Sequence, residues 1–220
     1  MNVAKQLDSR ISALPYVELY GSLCTEHTIK DQTGRLVVLP MSQDYNIQEC
    51  LDKELYKDMF PNDKYTSSVF ILKDGFARVE KTLFSQKLNE AGVKVRPKRY
   101  TQKYQMIGWF NAAALGYETN EISDQIIEDI ETNVFEVPIP SADKKALIEA
   151  EITSYSHEIP KIFKNLESLV KVNWSMFPYC WTVINFTMTY ISSCGDPFVI
   201  SAPLDCIEFS GTINSENSLL

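Results

Sequence analysis

The sequence predicts a single α+β domain, a mostly antiparallel sheet with about four amphipathic helices packed on it. Three observations carry that reading. Apolar residues recur at helical spacing in four separate stretches, and elsewhere they alternate with polar ones between turn signals. The 220 residues are 45% hydrophobic and 23% charged, with no repeat, low-complexity tract or linker, which suits one core large enough to need no covalent staple.

Val3, Leu7, Ile11 and Leu14 recur every three or four positions, with Asp8 and Arg10 between them, so the chain opens on an amphipathic helix ended by Pro15. Tyr16 to Leu23 alternates, placing Val17, Leu19, Gly21 and Leu23 on one face of a strand and Tyr16, Glu18, Tyr20 and Ser22 on the other. Asp31-Gln32-Thr33-Gly34 turns it into a second strand, Arg35 to Met41, as a hairpin with a long tip. Ile47, Leu51, Leu55 and Met59 define a short second helix, broken at Phe60-Pro61-Asn62-Asp63. Asp74-Gly75 stands between Val69-Phe70-Ile71-Leu72 and Phe76, Ala77 and Val79, a pattern that predicts a two-residue hairpin turn. Residues 42–90 then look like a hairpin-and-helix insertion within a domain spanning 1–213.

Val93 to Leu115 is β-rich around a polar middle, as two strands or one long bent one. Ile122, Ile126, Ile127, Ile130 and Val134 predict a third helix capped by Asn120 or Ser123. Val137-Pro138-Ile139-Pro140 is extended. In Ala146 to Ser156, Ile148, Ala150 and Ile152 alternate with Glu149, Glu151 and Thr153, which favours a strand over a helix. Ile159, Ile162, Phe163, Leu166, Leu169 and Val170 are helical, with Pro160 in the first turn. The remainder is β: a long strand Cys180 to Ser192, a Gly195-Asp196-Pro197 turn, a last strand at Cys206 to Phe209 and a polar tail, 214–220.

The 29 acidic residues exceed the 21 basic ones for a net charge of −8, which opposes a general role in nucleic-acid binding. Five scattered cysteines without a C-x-x-C pair point to free, buried thiols in a reducing compartment, not to a disulfide framework. The N-terminus lacks a signal-peptide core and no apolar run reaches the roughly 20 residues of a membrane span. The sequons at Asn173 and Asn185 are then chance matches.

Catalytic chemistry has little to stand on. Cys24 and His27 offer two metal ligands where a structural zinc site needs four. His157-Glu158 is followed by Lys161, where a zincin helix requires a second histidine. The eight glycines form no phosphate-cradling loop, and G-x-S-x-G is absent. Acid groups at Glu128, Asp129 and Glu131, and at Glu149 and Glu151, suit a hard cation or acid–base pair, but a solvated face explains them as well. The expectation is a chain without catalytic, cofactor-binding or metal-binding residues. One strip reverses the overall sign: Lys94, Arg96, Lys98, Arg99, Tyr100 and Lys103, followed by Tyr104, form a candidate contact for an acidic partner surface or phosphates, or else a basic edge strand that discourages aggregation. Aromatics concentrate at Tyr100, Tyr104, Trp109 and Phe110 and at Trp174, Phe177, Tyr179, Trp181 and Phe186, as core or as interface anchors.

The N-terminal helix running straight into a strand, the segment Gln105-Met106-Ile107-Gly108-Trp109-Phe110-Asn111-Ala112-Ala113-Ala114, the helix Ser123 to Thr132 and the strand Thr182-Val183-Ile184-Asn185-Phe186-Thr187-Met188-Thr189-Tyr190 follow one another in an order that resembles the tail-terminator and head–tail joining proteins of tailed bacteriophages. The resemblance covers residues 3–23, 93–134 and 179–192 and rests on element order and strand texture. This chain departs from it in its length, the 42–90 segment, the helix at 159–170 and the β segments after Cys194. The resemblance implies a structural virion protein, assembled in the host cytoplasm. Its partners would be copies of itself in a ring and other neck or tail proteins, with DNA at most passing through the lumen and no membrane contact. It carries over no catalytic residue. The alternative is a small cytosolic enzyme or ligand-binding domain built on carboxylates and tyrosines from separate elements.

Overall fold

The computed structural model describes residues 3–30, 34, 36–81, 87–88, 94–95, 98–118, 122–136, 148–163 and 176–192. They form an α+β fold around one six-stranded mixed sheet. In chain order the strands are β1 (Leu19–Lys30), β2 (Leu36–Ser42), β3 (Ser67–Lys81), β6 (Lys98–Asn111), β7 (Ile148–Ser156) and β8 (Tyr179–Ser192), and in space they lie β2-β1-β3-β6-β8-β7. A separate ribbon pairs β4 (Lys87–Leu88) with β5 (Lys94–Val95). The helices are α1 (Asp8–Ile11), entered through a 3-10 turn at Val3–Leu7, α2 (Ile47–Asp52), followed by a 3-10 turn at Leu55–Met59, and α3 (Ile122–Ile130), prolonged by a π turn at Glu131–Phe135.

One sheet face takes Leu23, Val69, Ile71, Tyr104, Met106, Phe110, Ile184, Phe186 and Met188. The N-terminal helix covers this face with Ala4, Leu7, Ile11 and Leu14, and α3 with its π turn covers it with Ile122, Ile126, Ile127, Ile130 and Val134; Ala4 joins the expected stripe, and the others lie where their spacing predicts. The other face takes Val37, Leu39, Met41, Phe70, Leu72, Ile107, Trp109, Trp181 and Val183, covered by Cys50, Met59, Ile159, Ile162 and Phe163. Trp109 is fully buried and donates from Nε1 to the Met59 carbonyl at 3.1 Å. Phe163 packs edge-on against both Phe60 and Phe70.

The expected mostly antiparallel sheet is corrected to a mixed one, because β1 and β3 run parallel. The hairpin at Asp74-Gly75 is also corrected. β3 continues straight through it, and the five residues from Asp74 to Arg78 span what the three from Lys103 to Thr101 span on β6. Asp-Gly supplies left-handed backbone (Gly75 φ 65°) to a bulge here, the same conformation a tight hairpin would have used. Gln102, buried, reaches into the bulge and donates from Nε2 to the Asp74 carbonyl at 2.8 Å, replacing a ladder bond that the bulge removes. β3 (Ser67–Lys81), within the 42–90 segment, is an interior strand of the sheet.

Smaller departures have similar causes. β1 starts at Leu19, because Tyr16 and Glu18 are held by side chains: Ser67 Oγ donates to the Tyr16 carbonyl at 2.6 Å and accepts from Glu18 N at 2.9 Å. A second bulge between Tyr20 and Leu23, with Ser22 at φ 59°, turns Leu23 to the face that Tyr20 also packs against, overturning their expected opposition. The second helix divides at Glu54 (φ 52°), and Asn46 caps its first part by accepting from Glu49 N at 2.8 Å. Ser123 lies inside α3, and Asn120 lies outside the described residues. The strand expected at 146–156 is β7. Of the helix expected from Ile159, residues 161–163 form a helical turn, and the rest lies outside the described residues, as do Val137 to Pro140 and everything after Ser192.

Candidate functional site

The strip that sequence singled out does not lie on one strand. Lys94 belongs to the small ribbon, Arg96 lies outside the described residues, and Lys98 opens β6. β6 sits between β3 and β8, so it is an interior strand and the edge-strand reading is overturned. Alternation then sorts the rest. Tyr100 is buried, stacked on Tyr190 with ring centroids 5.1 Å apart. Arg99 and Lys103 point the opposite way and are exposed.

That opposite side is a polar sheet surface continuous with the Trp109 face but uncovered among the described residues. Register aligns Asp74, Lys103, Thr187 and Glu151 in one row across β3, β6, β8 and β7, and Arg78, Thr101, Thr189 and Glu149 in the next. Two features noted separately in the sequence, the basic strip and the Glu149/Glu151 pair, thus meet on one face. Basic residues stand at Arg99 and Lys103 on β6 and acidic ones at Glu149 and Glu151 on β7, with threonines between, while β3 carries both signs in Asp74 and Arg78. Two strand spacings, about 10 Å, separate the β6 and β7 backbones. Arg99, Lys103, Glu149 and Glu151 form no ion pair among the described residues. The neutral part of the surface is tied together: Gln105 Nε2 donates to Asn185 Oδ1 at 2.8 Å, Asn185 Nδ2 donates to Ser154 Oγ at 3.0 Å, and the Thr101 and Thr189 hydroxyls meet at 3.4 Å.

On the helical side, a cavity of about 430 Å³ is lined by Pro15, Tyr16, Leu115, Tyr117, Ile122, Gln125, Ile126 and Asp129. Of the acids noted on α3, only Asp129 faces it. Sequence reasoning did not assemble this group, since its members come from three segments. The available signal was Gly116, whose φ of 88° ends the turn at 112–117 as a helix C-cap: Tyr117 N donates to the Ala112 carbonyl at 2.9 Å and Gly116 N to Ala113 at 3.1 Å, which fixes Tyr117 at the rim. Burial, and then the Asp129 carboxylate, push the Tyr16 phenol well above its usual range.

A further polar cluster was not anticipated. Tyr20 donates to Asp8 Oδ1 at 2.7 Å, Ser22 Oγ lies 3.4 Å from Asp8 Oδ2, and Lys5 pairs with Asp44. Burial raises Asp8, whereas the Lys5 hydrogen bond lowers Asp44. The cluster fastens the N-terminal helix to the bulge of β1. The flagged histidines divide similarly. Cys24 is buried beside the Met59 sulfur at 3.6 Å, and His27, three residues on, pairs with Leu39 of β2. His157 joins β7 to α3 and β8, with Nε2 2.9 Å from Asp124 Oδ1 and Nδ1 3.3 Å from the Trp181 carbonyl. No group of three metal-ligating side chains exists among the described residues. Cys24, Cys50 and Cys180 are free and buried, and burial pushes Cys180 up to about 11. No described helix is long and apolar enough to cross a membrane.

No protein-family model matches the chain, and no curated protein matches it. The fold defines it as an α+β chain built on a mixed sheet, one part of which the described residues leave uncovered.

Proposed function

We propose that this protein is a non-catalytic assembly component that associates with copies of itself, and that its setting is a ring at the neck or tail of a tailed-phage virion. The observation that carries self-association is the sheet surface left uncovered by the described residues, where Arg99 and Lys103 on β6 and Glu149 and Glu151 on β7 form no ion pair among those residues. Such a surface is complementary to itself: the Arg99/Lys103 side of one copy attracts the Glu149/Glu151 side of another. Contacts of that kind close into a ring when successive copies are related by a fixed rotation. The virion setting rests on the order of elements in the sequence, and the net charge of −8 suits a wall past which DNA slides.

Size-exclusion chromatography with light scattering tests the reading. A defined oligomer is expected for the wild-type chain. Reversing Arg99 and Lys103 to Glu, or Glu149 and Glu151 to Lys, is expected to give monomers in each case, and mixing the two variants to restore assembly. A monomeric wild-type chain, or an oligomer indifferent to both reversals, sinks the proposal. The second reading, a ligand-binding domain, is favoured by the cavity at Tyr16 and Asp129.

A further inference from the structure

We infer that the cavity between the end of the N-terminal helix, the 112–117 turn and α3 is a binding site for a primary alkylammonium group. Its volume, about 430 Å³, falls in the range of small-molecule sites, roughly 300–1,000 Å³. Pro15, Leu115, Ile122 and Ile126 make the walls apolar, which suits an alkyl body. The lining contains no lysine or arginine, and its one charge is the Asp129 carboxylate. Asp129 forms no ion pair among the described residues, and it is held in orientation by Asn133 Nδ2, which donates to Oδ1 at 2.5 Å. Two tyrosine rings, Tyr16 and Tyr117, add faces that attract cations.

The Asp129 carboxylate narrows the ligand further. An ammonium group donates to it and pairs with its charge, whereas a carboxylate or phosphate meets a like charge there. The Tyr16 hydroxyl exposes less than 1 Å², so a ligand meets the Tyr16 ring and not its oxygen. The ring itself cannot turn away, because Phe110 packs edge-on against it at 5.8 Å. This inference is independent of the assembly reading, since the cavity lies on the covered, helical side of the sheet.

Isothermal titration calorimetry on the full chain with n-pentylammonium, n-pentanol and pentanoate tests it. The ammonium is expected to bind about tenfold more tightly than the alcohol, the factor a charge-assisted hydrogen bond supplies, and pentanoate more weakly than either. Asp129→Asn is expected to bring the ammonium down to the level of the alcohol while the alcohol's own affinity stays put, which shows the cavity intact. A parallel titration with Nα-acetyl-lysine methylamide separates a free amine from a lysine side chain as the source of the group. Equal binding of ammonium and alcohol, a preference that survives Asp129→Asn, or no binding of any of the three overturns the inference.

Discussion

The two ends of β6 make an instructive contrast. Around Ile107 to Phe110 both faces of the strand are buried: Trp109 and Phe110 are each fully enclosed, one on either side of the sheet. Around Arg99 to Gln105 the same strand is buried on one face alone. Tyr100 and Tyr104 stack on Tyr190 and Phe186, while Arg99 and Lys103 on the reverse are exposed. The alternation is unbroken along the strand, so the difference comes from what is laid over each end. α2, its following turn and Phe163 reach as far as Trp109. The contrast shows that stability and recognition can be lodged on one strand without competing, provided they occupy different faces at different ends.

The largest expected effect tests the covered end. Trp109→Ala removes a fully buried indole and orphans the Met59 carbonyl, and should destabilise the fold by about 3–5 kcal/mol in chemical denaturation. A loss below about 1 kcal/mol would show that the two ends do not differ as described. Next comes the boundary between them. Gln102→Leu leaves the Asp74 carbonyl of the β3 bulge without its 2.8 Å bond, and should cost about 1–3 kcal/mol. Thr101→Ala, one residue away but on the open face, should change stability by no more than about 0.5 kcal/mol by the same measurement.

A pH experiment sharpens the contrast from outside the strand. Asp8 has its folded-state pKa raised, with burial the leading cause, so the folded chain holds that proton more firmly than the unfolded one. Its contribution is therefore present at low pH and is lost as pH rises through the raised value. Asp44, lowered by Lys5, behaves oppositely: its contribution is present above the usual carboxylate range and lost as pH falls. In denaturation curves recorded from pH 3 to pH 7, Asp8→Asn should remove the decline with rising pH and leave the Asp44 limb in place. An unchanged profile would mean that Asp8 is not the group responsible.

Much of the local structure was written in the sequence. The Val3–Leu14 stripe, the β1–β2 hairpin, the Ile122–Val134 stripe, β7 and β8 each follow from a period of 3.6 or 2, because burial of one face imposes that period. Alternation also separates Tyr100 from Arg99 and Lys103, although reading the strip as one block obscured it. What sequence did not give was partnership. Asp74-Gly75 has the conformation of a hairpin turn, and nothing local distinguishes that from a bulge; β6, lying alongside both halves of β3, decides it. The parallel pairing of β1 with β3, the rows that set Lys103 against Glu151, and the meeting of Tyr16 with Asp129 all join residues far apart in the chain. Periodicity tells a segment which of its faces must leave water. Which other segment will cover that face depends on the free energy of the whole packed sheet, and only the tertiary structure contains that answer.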